Sequence, residues 1–117
     1  MKLLFVFIMC FTAISCVQKS YDQTVTLILD VSELPSIKTV GVRGSDKPLS
    51  WREDFEMNAL VEDSLYTATF SGKTGLMFTE IKFVVNGEFE FKDQDNRRVV
   101  FDKSRKTIYK ANFNKIN

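Results

Sequence analysis

The sequence predicts an all-β protein, folded as an antiparallel β-sandwich of about seven to eight short strands. Short segments alternate between apolar and polar side chains, which is the pattern of strands with one buried face. Glycine, proline and asparagine separate these segments, as expected for turns. After Cys16 no window of ten or more residues has the apolar spacing of an amphipathic helix. Short strands joined by closely spaced turns are typical of sandwich domains.

The first residues have the pattern of an export signal. Met1 and Lys2 provide a positive start, and the apolar run 3–11 is too short to cross a bilayer as a helix. The segment Ala13-Ile14-Ser15-Cys16 then resembles the bacterial lipobox, with alanine in place of the commoner leucine. We therefore expect residues 1–15 to be a signal peptide and Cys16 to be acylated as the new N-terminus. The alternative is an ordinary secretory signal cleaved nearby, with Cys16 left as a free thiol.

Removal of residues 1–15 would leave a mature chain of balanced charge. Lys2 is one of the sixteen basic residues, and the fifteen that remain without it equal the fifteen acidic residues. This balance offers no electrostatic case for binding nucleic acid or an anionic membrane surface. No cysteine follows Cys16, so neither an intramolecular disulfide nor a thiolate metal site can form. We expect one domain, 24–117, stabilised by packing and joined to the lipid by a polar tether, 16–23.

The first half of the predicted domain contains two clear strands and one weak one. Residues 37–44 are rich in β-branched side chains, and a short edge strand is expected around Phe55 and Met57. Residues 24–31 alternate cleanly and present four apolar side chains on one face, those of Val25, Leu27, Leu29 and Val31.

The second half contains the remaining strands. Residues 64–71 alternate and are ended by the glycines of 72–75. Asn86-Gly87 is the strongest hairpin signal, because a type I′ turn needs positive φ at both central residues. The strand before it, 78–86, places Lys82 on one side and Ile81, Phe83 and Val85 on the other. The return strand and two further strands are expected at 88–92, 98–102 and 106–113.

Catalysis is not expected, and neither is a cofactor. The chain has no histidine, and a lipidated Cys16 cannot act as a nucleophile. Asp93 and Asp95 could hold calcium, but solvated turn residues are the better interpretation. Paired carboxylates can also serve as acid and base, but each pair here lies in a strand or turn where solvated acidic residues are expected: Glu53/Asp54, Glu62/Asp63, Glu88/Glu90 and Asp93/Asp95.

The loop that follows residues 40–44 contains the only tryptophan, Trp51, among polar and turn-forming residues. Carbohydrate is recognised by an aromatic ring on the apolar face of a sugar and by polar side chains around its rim. An exposed indole in a polar loop has this form. The alternative is an indole that folds back to plug one end of the sandwich, because tryptophan is highly buried on average.

Two segments resemble the hallmarks of the starch-binding modules, carbohydrate-binding family twenty. Residues 40–58 (VGVRGSDKPLSWREDFEMN) are similar to the first hallmark, in which a strand leads into a loop with a tryptophan. Residues 78–101 (FTEIKFVVNGEFEFKDQDNRRVVF) resemble the second, in which a Tyr-Lys-Phe strand turns into a Trp-Glu strand that closes with Asn-Arg. The match covers residues 24 to about 103 in the family's order. It implies an immunoglobulin-like antiparallel sandwich, in agreement with the strand pattern.

The resemblance also implies a glucan site, formed in that family by the loop tryptophan, the lysine, a tryptophan of the following strand and the asparagine. By position, Trp51, Lys82 and Asn96 take three of these roles. The second ring falls on Phe91, or on Phe89 if the return strand is shifted by two residues. Strand alternation would place both phenylalanines on the same face. Phenylalanine has less stacking area than the family's tryptophan and no N–H.

The function implied by the resemblance is carbohydrate binding without catalysis, with α-glucan as the ligand. The protein would be an exported envelope lipoprotein, held at the outer membrane or periplasmic face through the lipid on Cys16. It would hold polysaccharide for a separate glycoside hydrolase or transporter. The alternative is a protein-interaction or structural sandwich that binds a partner in an envelope complex. An exposed Trp51 beside an outward Lys82 favours sugar, whereas a buried Trp51 and a bare hydrophobic strand edge favour protein.

Overall fold

The computed structural model describes residues 19–116, and these residues fold into two β-sheets without a helix. The predicted signal peptide, 1–15, and the predicted acylation site, Cys16, lie outside the described residues. Among residues 19–116, no helix is long and apolar enough to cross a membrane. The nine strands are β1 (Tyr21–Asp30), β2 (Val40–Gly44), β3 (Phe55–Glu56), β4 (Asn58–Val61), β5 (Leu65–Thr74), β6 (Phe78–Val85), β7 (Glu88–Phe89), β8 (Arg97–Val100) and β9 (Lys106–Asn112).

The strands form one four-stranded and one five-stranded sheet, as a sandwich requires. The first sheet has the order β4-β5-β1-β9, and the second has the order β3-β2-β6-β7, with β8 also paired to β6. All pairs are antiparallel except β1 and β9, which run parallel with Thr24 beside Lys106 and Asp30 beside Asn112. The predicted antiparallel arrangement therefore holds for every pair except this one.

One hydrophobic core lies between the two sheets. In the first sheet, the alternation predicted for β1 is confirmed, because Val25, Leu27, Leu29 and the adjoining Val31 are all buried. In the second, β6 directs Ile81, Phe83 and Val85 into the same core. Since every buried residue of the core lies between positions 25 and 111, a chain that begins at residue 17 retains the whole core.

Several strand limits differ from the predicted ones. β1 begins at Tyr21 rather than at residue 24, so the last three residues of the predicted tether belong to the sheet. β5 continues through Gly72 to Thr74, although the glycines were expected to end it. A Cβ on Gly72 would lie 2.7 Å from the carbonyl oxygen of Lys47. This glycine therefore lets the loop after β2 pack directly on the sheet.

The hairpin between β6 and β7 has the predicted turn. Asn86 and Gly87 have φ angles of 54° and 78°, as a type I′ turn requires. The Asn86 side chain also accepts hydrogen bonds from the backbone amides of Lys38 and Thr39, at 2.7 and 3.2 Å. It donates a third, of 2.7 Å, to the carbonyl of Ser36. One asparagine thus forms the turn and fixes the loop before β2.

Replacement of Asn86 by alanine should lower the free energy of unfolding by about 2–3 kcal/mol. The variant loses the side-chain hydrogen bonds, and alanine disfavours the positive φ angle of this position. Asn86→Gly loses the same hydrogen bonds but tolerates the φ, so it should be less destabilised than Asn86→Ala by about 1 kcal/mol. Urea unfolding of both variants measures the difference. If the two variants lose equal stability, the left-handed backbone conformation at position 86 does not contribute to the cost of the alanine substitution.

Candidate functional site

Trp51 is exposed, and a different residue anchors its loop. The indole retains 37% of its accessible surface, whereas Leu49, two residues earlier, retains only 3% and packs in the core. Because Leu49 fills the space beneath the loop, Trp51 does not plug the sandwich. The loop therefore presents the ring at the surface.

Polar contacts hold the loop against the sheet. Arg43 of β2 donates to the carbonyl oxygen of Trp51 at 3.0 Å and forms an ion pair of 2.6 Å with Asp54. Asp46 accepts a hydrogen bond of 2.7 Å from the buried hydroxyl of Thr79 on β6. These contacts fix both halves of the loop, so the position of the indole is set by β2 and β6.

A depression of about 370 Å³ lies beside Trp51 on the outer face of the second sheet. Four of the five predicted site residues line it together: Trp51, Lys82, Phe89 and Asn96. Lys92 and Asp93 complete the lining. A larger open depression, of about 880 Å³, lies against the other side of the loop, but Trp51 is the one aromatic residue among those that line it. Of the two depressions that Trp51 lines, the smaller one is therefore the one that combines two rings with polar groups.

The polar groups of this depression are oriented by neighbouring residues. The Lys82 ammonium donates a hydrogen bond of 3.0 Å to the carbonyl oxygen of Phe91. An ammonium has three donors, and this bond uses one of them. The Asn96 amide donates to a carboxylate oxygen of Glu80 at 3.1 Å, which orients its carbonyl oxygen as an acceptor. The site thus combines a cationic donor and an amide with two aromatic rings.

The fifth predicted residue, Phe91, does not line this depression. β7 ends at Phe89, and Phe91 has a φ of 49°, so strand alternation does not continue to it. Its ring lies under the guanidinium of Arg97, with 4.8 Å between the guanidinium carbon and the ring centroid. The Phe89 ring lies under Arg43 in the same way, at 5.0 Å. The structure therefore selects Phe89 as the second ring and separates the two phenylalanines that were expected to act alike.

A buried ion pair supports this wall of the site, and the sequence did not predict it. Glu90 was expected to be solvated, but it is completely buried. Its two carboxylate oxygens accept bonds of 2.7 and 2.8 Å from Arg97. They also accept the backbone amides of Phe83 and Asn114, at 2.9 and 3.2 Å. Hence one carboxylate joins β6, β8 and the C-terminal segment directly behind Phe89.

The Arg97 guanidinium completes this network. It donates to the backbone carbonyls of Asn112 and Lys115, at 2.8 and 2.7 Å. Burial on its own lowers the pKa of Arg97, but the hydrogen bonds to Glu90 and Tyr109 outweigh it and raise the pKa above its usual value. Arg97 therefore stays charged. The sequence signal for this buried ion pair was the arginine of the second hallmark, Arg97. A glutamate that points into the core from a strand needs a partner of opposite charge.

Asp93 is the acidic residue among those that line this depression. In the part of the chain that the structure describes, no three acidic, histidine or cysteine side chains come together to hold a metal ion. Asp93, considered for calcium, has a φ of 59° and lies at the rim of the depression. The arrangement is suited to stacking and hydrogen bonding.

A scan against protein-family models finds no match to the chain, and neither does a search of curated proteins. The similarity to the starch-binding modules thus rests on the residues of the two hallmarks.

Proposed function

We propose that this protein is a non-catalytic carbohydrate-binding lipoprotein, with an immunoglobulin-like sandwich related to the starch-binding modules and α-glucan as its ligand. One observation carries the proposal. Trp51, Lys82, Phe89 and Asn96, which the resemblance names separately along the chain, line one exposed depression. The loop after β2, the β6–β7 hairpin and the segment before β8 each contribute to this depression, which supports the assignment.

The chemistry of the depression fits a neutral sugar. The Trp51 ring can cover the C–H surface of a pyranose ring and exclude water from it, and Phe89, one face of which lies under Arg43, adds a second aromatic ring to the depression. Lys82 and Asn96 offer donors and an acceptor to the hydroxyl groups at the ring edge. The volume of about 370 Å³ lies at the small end of ligand sites, which suits a short stretch of a polymer. Binding at one such site would be weak.

The anchor would compensate for weak binding at each site. Acylation of Cys16 would hold many copies on one envelope surface, and a polysaccharide that touches several copies dissociates slowly. Glycan retained at the envelope would then reach a separate hydrolase or transporter. The proposed roles are therefore retention and presentation, and no step of bond cleavage is assigned to the chain.

Titration with sugar tests the proposal directly. Residues 17–117, which lack the cysteines, should show a saturable change in Trp51 fluorescence with β-cyclodextrin or maltoheptaose, with a Kd of about 0.1–1 mM. Cellohexaose has the same glucose units in β-linkage and serves as the control for ligand shape. No spectral change at millimolar α-glucan would contradict α-glucan binding. An equal response to cellohexaose would contradict the choice of α-glucan.

A second function, protein binding, is favoured by one feature of the first sheet. The edge strand β4 exposes Leu60 and Val61, which retain 57% and 52% of their surface. A bare hydrophobic edge can pair with a strand of another protein. Trp51 is exposed rather than buried, so the site itself favours sugar, and partner binding at β4 would be compatible with it.

A further inference from the structure

One end of the sandwich brings together the start of β1 and several distant segments. Tyr21 pairs with Thr74 at the end of β5, and Phe78 at the start of β6 pairs with Val100 at the end of β8. Because β9 runs parallel to β1, its first residues also lie at this end, with Lys106 beside Thr24. We call this the tether end, since the chain from Cys16 enters the fold here. It comprises residues 19–22, 45–48, 73–78 and 100–106.

The tether end exposes apolar side chains at the turn between β5 and β6. Leu76 and Met77 retain 52% and 79% of their surface, and Val100 retains 62%. The turn is fixed, because the carbonyl of Met77 accepts a backbone hydrogen bond of 2.9 Å from Phe101. Tyr21 is also exposed here, with Arg105 stacked 3.9 Å from its ring centroid. Aromatic and basic residues of this kind are enriched at membrane interfaces.

The charge at the tether end is positive although the whole chain is nearly neutral. Three acidic residues lie there, and two of them, Asp46 and Asp102, accept hydrogen bonds from neighbouring residues. Asp46 accepts the hydroxyl of Thr79, and the hydroxyl and amide of Ser104 lower the pKa of Asp102. Six exposed basic residues belong to the same end: Lys19, Lys47, Lys73, Lys103, Arg105 and Lys106. Positive charge is therefore concentrated at one end of a chain whose net charge is nearly zero. The expectation that charge would not favour binding to an anionic membrane does not hold for this end.

We infer that the tether end lies against an anionic phospholipid surface, with Leu76 and Met77 inserted at the headgroup level and the basic residues near lipid phosphates. The chain length supports this orientation. From Cys16 to Tyr21 an extended chain spans at most about 18 Å, so an acylated Cys16 would hold this end close to the bilayer. This argument rests on the proposed anchor, whereas the charge and the exposed turn do not.

This orientation would leave the carbohydrate site accessible. Lys82 lies midway along β6 and faces the outer side of the sheet, so the depression opens across the strand direction. The tether end, in contrast, is where strands begin and end. A glycan could therefore occupy the Trp51 site while the tether end contacts lipid.

Vesicle binding tests this inference without the lipid anchor. In a flotation assay, residues 17–117 should rise with vesicles that contain phosphatidylglycerol. With vesicles of phosphatidylcholine alone, the protein should remain in the bottom fraction. Raising salt from about 0.05 to about 0.5 M should weaken the binding, because exposed charges are screened. Equal binding to both vesicle types, or none to the anionic vesicles at low salt, would overturn the inference. Either result leaves the sugar titration unaffected, so the two proposals fail independently.

Matched variants locate the contact. Lys73→Glu/Lys103→Glu should weaken partitioning at least about 25-fold, since each lysine near such a surface contributes roughly fivefold. Lys38→Glu/Lys115→Glu makes the same change in net charge at the opposite end and should weaken it much less. Equal losses in the two variants would show a general charge effect and overturn the assignment to the tether end.

A single label tests the insertion of the turn. Because residues 17–117 contain no cysteine, Met77→Cys can carry one polarity-sensitive fluorophore. Its emission should shift to the blue on addition of anionic vesicles, while the same label at Val61→Cys on β4 should not shift. A shift at both positions, or at neither, would overturn insertion at the turn.

Discussion

Replacement of Glu90 by glutamine should lower the free energy of unfolding by about 3–5 kcal/mol, because it breaks a buried ion pair. The change keeps the shape of the side chain but leaves the charge of Arg97 buried without its counter-ion. Glu90 is completely buried, and its oxygens hold the amides of Phe83 and Asn114 as well as the guanidinium. Urea unfolding of the purified variant measures the loss.

An exposed ion pair provides the control for this prediction. The Lys115 ammonium lies 2.6 Å from a carboxylate oxygen of Glu33, but the two side chains retain 54% and 74% of their accessible surface. Lys115→Gln should therefore cost less than about 1 kcal/mol. If Glu90→Gln and Lys115→Gln lose equal stability, the buried ion pair contributes no more to the free energy of unfolding than an exposed one. The double variant Glu90→Gln/Arg97→Gln closes a thermodynamic cycle and should be less destabilised than the sum of the single changes.

Replacement of Trp51 by alanine should weaken α-glucan binding by at least about 2 kcal/mol, roughly thirtyfold, because it removes the largest contact surface of the site. The same variant should keep its stability within about 0.5 kcal/mol, since Leu49 rather than Trp51 fills the core beneath the loop. Calorimetric titration measures the affinity, because Trp51→Ala removes the fluorescent reporter. Thermal unfolding measures the stability.

The two phenylalanines provide matched controls for the site. Phe89→Trp should strengthen sugar binding by enlarging the second ring, whereas Phe91→Trp should not, because Phe91 packs under Arg97 outside the depression. Binding that survives Trp51→Ala would reject the site even if the protein binds sugar. Stronger binding in Phe91→Trp, without a change in Phe89→Trp, would reverse the choice between the two rings.

Patterns within single segments predicted much of the fold and named most of the residues that line the candidate site. The buried face of β1, the core face of β6 and the Asn86-Gly87 turn follow from local patterns, and the structure contains all three. Trp51 and Lys82 could be named because they belong to short local motifs. These features depend on neighbours in sequence, which is the information that a single sequence provides.

The remaining features depend on contacts between distant residues. Glu90 was expected to be solvated as one of a carboxylate pair in a strand or turn, and its burial depends on Arg97 and on backbone groups of the C-terminal segment. The left-handed conformation of Phe91 separated it from Phe89 in the same region. The parallel pairing of β1 with β9 joins the two ends of the domain, and no turn between them signals its direction.

That parallel pairing also determines where the two termini leave the fold. The described chain enters the first sheet near Lys106 and leaves it beyond Asn112, so the two ends of the folded domain lie at opposite ends of this sheet. A strand of ten residues, such as β1, spans about 33 Å. A circular permutant would therefore need a linker of at least about ten residues to connect the termini. A reporter attached after residue 116 would instead project from the end opposite Tyr21, where the described chain enters the first sheet.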